Sequence, residues 1–390
     1  MGDRPQRILI GIRLVEALRE VLQGIISYMK THHTNWQLQC VDAEEFVRNL
    51  GNGGADGAIT HVSPRLHNRT RQIRKTGVPT VDILHDATPV LPSVLSDDLA
   101  IGRVGAEYFL SHGFRNFAFV GVDFEWSRAR QEGFSQSLQR NEQQHELAAI
   151  VFPHPDYRML DTGHLRSRLR RWVARLPKPV AIMTCSDLTA RALLQACGDA
   201  RVQVPDDASI LGVDNLVAMC ELASVPLSSV AQDFTTIGFE AARMLDGLLS
   251  RRKPPRQAVL VPPGPVLVRR STDIFAFEDP HVANAMRLIH QKAGDGFGMK
   301  QLMNDMLVSR KWLDMRFKSL IGHTPSQEIR RVRLSRVRDL LLSTDLSVQE
   351  VANRCGFGCG ENLIRFFRQA QGMPPHEYRL RHRGQTRIVR

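Results

Sequence analysis

Three aspartates, Asp42, Asp187 and Asp214, close short apolar runs in the first 280 residues. A carboxylate accepts several hydrogen bonds, and ligands of parallel sheets sit beyond the carboxyl ends of the strands. These positions suit binding. Motifs for catalysis are missing from the sequence: there is no G-x-x-x-x-G-K-[ST] phosphate loop, no H-E-x-x-H pair and no G-x-S-x-G elbow. "GNGG" at 51–54 reads as a glycine-rich turn before a strand. The six cysteines are scattered without a C-x-x-C, as in a cytosolic chain with reduced thiols. Cys355, Cys359 and His376 have zinc-ligand chemistry, but their spacing spans a helix end and a turn. No metal and no cofactor is expected.

A second kind of chemistry lies near the carboxyl end, in "LSVQEVANRCGFGCGENLIRFFRQAQGMPPHEYR" (346–379). Val348, Val351, Ala352 and Cys355 fall at i, i+3, i+4, i+7, and Leu363, Phe366, Phe367 and Ala370 repeat that spacing. Ser347 and Glu350 form a capping box, Gly356 is a C′ stop, and Pro374-Pro375 follows the stop at Gly372. Such a pair is either a helix-turn-helix or an ordinary helical hairpin. Charge bears on the choice. The chain carries 52 Lys+Arg against 40 Asp+Glu, net +12, and residues 281–390 hold 20 against 9. A near-neutral body with a basic end suggests a polyanion-binding module.

The arrangement occurs twice. In 299–345, Ser309 is an N-cap after a short helix, Leu313, Phe317, Leu320 and Ile321 form a stripe, Gly322 ends it and Thr324-Pro325 opens a long arginine-rich helix. "RFKSLIGHTPSQEIR" and "RFFRQAQGMPPHEYR" end the two copies alike. Upstream, candidate strands at 7–12, 36–42, 55–62, 78–84, 117–122, 147–153, 179–187 and 208–215 alternate with helices such as 16–31, 100–112 and 187–198. That alternation predicts parallel sheets covered on both faces. No 18-residue apolar span and no secretory h-region is present, so a cytoplasmic location is expected, with no membrane partner.

Residues 281–390 resemble the AraC-type DNA-binding domain, above all in "SVQEVANRCGF", "FFRQAQGMPPHEYR" and "SRKWLDMRFKSLIGHTP". In that family two recognition helices enter successive major grooves of double-stranded DNA. The resemblance implies DNA contacts from Ser309, Arg310, Lys311, Asp314 and Met315 in the first copy, and from Gly360, Glu361, Ile364 and Arg365 in the second. Two positions depart from the pattern. Leu307 occupies a turn that usually holds glycine, and Met315 stands where arginine is common.

"VLSDDLAIGRVGAEYFLSHGFRNFAFVG", "SRARQEGF", "MTCSDLTARALLQACGDARVQVPDDASILGVDN" and "LSSVAQDFTTIGFEAARMLDGLL" together resemble the LacI/periplasmic-binding-protein ligand core. The fold implied is an α/β two-lobed periplasmic-binding-protein-like ligand core (1–275) followed by an all-α AraC-type double helix-turn-helix domain (276–390). Three crossovers would join the lobes, the first holding about 5–110 and 236–260, the second about 113–232 and 262–275. The resemblance implies a transcription regulator, an activator, whose effector is a sugar such as xylose. Its implied partners are RNA polymerase and a second copy in a homodimer. Asp97, Arg130, Asp187, Asp214 and Gln232 would contact the sugar, with Phe124 or Trp126 against its apolar face. Asp187 could instead cap the helix after it, and Asp97 could hold a turn. Behind the first strand, "RLVEALRE" places Leu14, Val15, Ala17 and Leu18 where xylose-responsive members carry polar and aromatic groups. The competing expectation is an enzyme or carrier for a small polar molecule, its basic tail docking to RNA or a membrane surface.

Overall fold

The computed structural model describes residues 4–12, 15–41, 43–61, 67–83, 91–140, 147–152, 163–293 and 296–383. Asp42, and Arg13 and Leu14 of the loop behind the first strand, lie outside them. Two compact units form: residues 1–108 with 116–273, and residues 109–115 with 274–390.

In the first unit strands and helices alternate: β1 (Gln6–Gly11), α1 (Val15–His32), β2 (Trp36–Cys40), α2 (Ala43–Gly51), β3 (Gly57–Thr60), α3 (His67–Thr76), β4 (Thr80–Ile83), β5 (Ser93–Ser96), α4 (Asp98–Ser111), β6 (Asn116–Val122) and α5 (Glu125–Gln139). There follow β7 (Leu147–Phe152), α6 (Gly163–Arg175), β8 (Val180–Thr184), α7 (Asp187–Ala200), β9 (Ala208–Asp214), α8 (Val217–Glu221), β10 (Ser228–Ala231), α9 (Phe234–Leu249), β11 (Val259–Val261) and β12 (Val266–Leu267). They build two six-stranded sheets, ordered β11-β5-β4-β3-β1-β2 and β12-β10-β9-β8-β6-β7. The pairings are parallel except β10 with β12. Strands flanked on both faces read as continuous apolar runs, and all of β8 (VAIMT) is buried.

The chain passes between the sheets after β5, after β10 and after β11. Close backbone contacts fix the helices that follow the first two passages. A Cβ on Gly24 of α1 would lie 2.0 Å from the Thr235 carbonyl oxygen of α9, and one on Gly238 would lie 2.0 Å from that of Val21. Gly102 of α4 and Gly133 of α5 meet the carbonyls of Arg130 and Leu99 in the same way. Gly105 packs against Met183 of β8 and Leu211 of β9. Helix α4 therefore lies on the second sheet, and the first passage falls at Ser96–Asp98. This corrects the expected lobe boundary near residue 110. Hydrophobic periodicity marks α4 as a helix but not the sheet it covers; the small residues that admit α5 decide that.

The second unit is helical: α10 (Pro280–Lys292), α11 (Met299–Asp305), α12 (Arg310–Ile321), α13 (Pro325–Ser343), α14 (Val348–Arg354), α15 (Gly360–Gln371) and α16 (Pro375–Arg383). One core gathers Val282, Met286, Ile289, Leu302, Leu313, Phe317, Ile329 and Val332. The other gathers Val337, Leu341, Val351, Ala352, Cys355, Leu363, Phe367 and Tyr378. Helix α13 supplies residues to both. The repeat is close: α12 and α15 each have 12 residues, end in left-handed Gly322 and Gly372, and precede Pro325 and Pro375. Ser309 caps α12 through the Trp312 N–H, and Ser347 and Glu350 form the expected capping box on α14. The turns differ. The second bends through Gly356 (φ 69°) and Gly358 (φ 72°), whereas Met306 leaves α11 in extended backbone (φ −108°). The first turn is one residue shorter and uses no left-handed position, so Leu307 is tolerated there.

Candidate ligand site and nucleic-acid interface

Helices α4 and α5, locked by their paired glycines, bring Arg130 to the first turn of α4. Arg130 is only 5 % exposed. Its Nε donates to Asp98 Oδ1 at 2.8 Å, an Nη donates to the Cys185 carbonyl, and the same Nη lies 3.6 Å from Asp214 Oδ1. The guanidinium sits 4.8 Å from the centre of the Trp126 ring, which stacks on Phe124 at 5.7 Å. Asp214 ends β9 with φ 111°, a conformation that costs a non-glycine residue about 1–3 kcal/mol and persists only where its surroundings enforce it. Its carboxylate accepts from Gln232 Nε2, and Gln232 Oε1 accepts from Ser96 Oγ. A chain of contacts thus joins Asp98, Arg130, Asp214, Gln232 and Ser96. Both Ser96 and Gln232 stand where the chain passes between the sheets.

Burial raises the Asp214 carboxyl above the ordinary range, and the nearby Asp98 adds to this while Arg130 and Gln232 oppose it. Asp98 is raised for the same first reason. Two carboxylates facing one guanidinium leave the cluster short of positive charge. An anionic ligand would meet net repulsion there, whereas hydroxyls can donate to the carboxylates and accept from Arg130 and Gln232.

Not every expected ligand residue joins the cluster. Asp187 is 0 % exposed at the start of α7. Its oxygens accept from Ser229 Oγ (2.7 Å), the Leu216 N–H (2.8 Å) and Cys220 Sγ (3.3 Å). A Cβ on Gly212 would come within 2.2 Å of it. Enclosed in this way, Asp187 has its oxygens engaged within the protein and anchors the loop after β9. Burial, then the charge of Asp214, raises its pKa. Asp97 caps α4 through the Ala100 N–H at 2.9 Å. Asp98 and Ser96 were not anticipated; the doubled acid in "SDD" was the available signal.

In the second unit, α12 turns Arg310, Lys311, Asp314, Met315 and Lys318 onto one shallow face. Helix α15 does the same with Glu361, Ile364, Arg365, Arg368 and Gln369. Gly360 opens α15, its N–H donating to Gln349 Oε1 of α14 at 2.8 Å. Arg365 donates to Asn362 Oδ1 at 3.1 Å. Seven of the nine expected DNA-facing residues line these faces, while Ser309 and Gly360 start the helices. Lys318, Arg368 and Gln369 were missed, though they continue the i+3/i+4 spacing.

Residues 106–272 match the periplasmic binding protein-like domain family, and residues 302–381 match a helix-turn-helix domain family. Together with the geometry, these define a DNA-binding transcription regulator governed by a small-ligand domain. The chain thus combines a periplasmic binding protein-like domain with a helix-turn-helix domain. It is 28 % identical to the xylose operon regulatory protein of Escherichia coli K12 over 371 residues, 93 % of each chain. With the corresponding Haemophilus influenzae protein it shares 28 % over 375 residues, 93 % of this chain and 95 % of that one. The solved structure of the xylose-binding transcription activator xylR matches with a TM-score of 0.61 and 27 % identity, covering 97 % of this chain and 99 % of that one.

Proposed function

We propose that this chain activates transcription in response to a monosaccharide, with xylose the first to test, held by the cluster around Arg130 and Asp214. The observation that carries this is the buried Asp98–Arg130–Asp214–Gln232 network, whose donors and acceptors suit hydroxyls and whose charge disfavours anions. The full-length relatives named for the xylose operon support it. The α12 and α15 faces read the operator, with Arg365 and Arg310 suited to guanine and Glu361 to the cytosine amino group. The regulator acts in the cytoplasm as a homodimer that recruits RNA polymerase. Sugar shifts its DNA-binding equilibrium by binding one conformation more tightly than the other.

A thermal-stability panel of pentoses and hexoses should show a rise with one sugar, since a ligand of the folded state raises apparent stability. Asp214→Ala should then weaken that sugar at least tenfold by calorimetry, because a hydrogen bond to a charged group contributes about 1.5–3 kcal/mol and tenfold needs only about 1.4. An unchanged dissociation constant would remove Asp214 from the site.

A further inference from the structure

We propose that Met315 and Ile364 are specificity-determining residues that read thymine 5-methyl groups, one in each of the two successive major grooves that a single copy of the chain faces. The assignment rests on α12 and α15 facing DNA and adds what two of their side chains select. Met315 is 58 % exposed and Ile364 39 % exposed. Isolated apolar side chains are common on protein surfaces and by themselves mean nothing. These two differ in their surroundings. Met315 stands among Arg310, Lys311, Asp314 and Lys318, and Ile364 among Glu361, Arg365, Arg368 and Gln369.

The helical register makes the choice of Met315 pointed. Leu313 and Phe317 form the buried stripe of α12. At 3.6 residues per turn, Met315 lies on the side opposite both. It adds nothing to the core that the helix buries. The two helices repeat at a constant offset, so Asp314 corresponds to Ile364 and Met315 to Arg365. Each therefore presents adjacent charged and apolar groups at the same level, in reversed order.

Base edges in the major groove are lined by donors and acceptors, with one apolar exception, the C5-methyl of thymine. A methionine or isoleucine pressed on any other edge would strip water from a polar group without replacing its hydrogen bond. Against a methyl, both gain. Methionine is unbranched and adapts its shape, whereas isoleucine is stiff at χ1. Ile364 should accordingly tolerate displacement of the methyl less well.

The test uses the full chain and a duplex enriched by it from a random library. Each thymine is replaced in turn by deoxyuridine, which removes only the methyl and keeps the pairing. At one thymine position in each of the two grooves faced by a copy, uracil should weaken wild-type binding about fourfold, the effect of withdrawing one methyl-sized contact. Met315→Ala should become indifferent to one of these uracils while still sensing the other, and Ile364→Ala should show the reciprocal pattern. Both side chains are solvent-facing, so the variants should melt with the wild type. A wild type indifferent to every uracil, or variants that keep both sensitivities, would overturn the assignment while leaving α12 and α15 on DNA. If no duplex is enriched, the DNA-facing reading fails and this one with it.

Discussion

Asp187 and Asp214 are both acids at the carboxyl ends of adjacent parallel strands, and the fold uses them differently. Asp214 is held at a strained position beside Arg130. Asp187 lies beneath it, saturated by Ser229, Leu216 and Cys220. Sequence favoured Asp214 as the ligand carboxylate and left Asp187 open between ligand and helix cap. The donors that enclose Asp187 come from 29–42 residues further on, and Gly212 leaves the space it occupies. The two thus predict opposite behaviour. Asp187→Ala leaves buried donors unmet, at about 1–3 kcal/mol each, and should destabilise the sugar-responsive unfolding transition by roughly 3 kcal/mol. Asp214→Ala should spare that transition and lose the sugar. Denaturant titration with and without ligand separates the two. A stable Asp187→Ala protein that no longer binds would restore Asp187 to the ligand site.

At the level of elements, regular patterns were legible and short or polar ones were not. The duplicated hairpin could be placed from capping serines, glycine stops and prolines, all of which act locally. Strands β5, β10, β11 and β12 run two to four residues, and β10 reads "SSVA". Ser228 is buried because Ser271, Thr272 and Arg269 satisfy it, and Ser229 because Asp187 and the Asn215 N–H do, a tertiary circumstance that no periodicity announces. The same is true of Glu328, buried in the first turn of α13. It accepts from His290 of α10, from His323, and from both ends of the Arg331 fork. Burial alone would raise its pKa; the bonds from Arg331 and His290 outweigh that and hold the carboxyl far below the usual range. A lowered folded-state pKa stabilises above the unfolded value, about 4.3, and that contribution fades as pH falls through and below it. The helical unit should therefore lose stability on acidification from pH 5 to 3. Glu328→Gln should cost about 3 kcal/mol at pH 7 and flatten that part of the curve, as seen by thermal unfolding across pH. A variant with the wild-type pH dependence would assign the acid sensitivity elsewhere.

For the whole molecule, net charge pointed to the DNA-binding end but not to the residues that bind. Much of the excess in residues 281–390 is engaged within the protein. Arg316 pairs with Asp279, Arg333 donates to the Ala293 and Phe297 carbonyls, Arg336 to those of His290 and Gln291, and Arg379 to those of Leu341 and Leu346. Arg333 and Arg336 thereby bond carbonyls at the end of α10, and Arg379 one in the last turn of α13, groups that would otherwise lack partners. The cations left on the α12 and α15 faces are Arg310, Lys311, Lys318, Arg365 and Arg368. Each phosphate neutralised contributes roughly −0.9 to the slope of log affinity against log salt. The full chain should thus show a slope set by those faces and well short of what its net charge suggests. Arg368→Ala should make the slope shallower by about one and weaken all sequences alike. Arg336→Ala should leave the slope unchanged and instead lower the melting temperature of the helical unit, since it uncaps α10 at a cost of about 1 kcal/mol. Binding isotherms at four salt concentrations decide between these roles: a shallower slope in Arg336→Ala would place that guanidinium on a phosphate, and an unchanged slope in Arg368→Ala would take the end of the α15 face off the DNA.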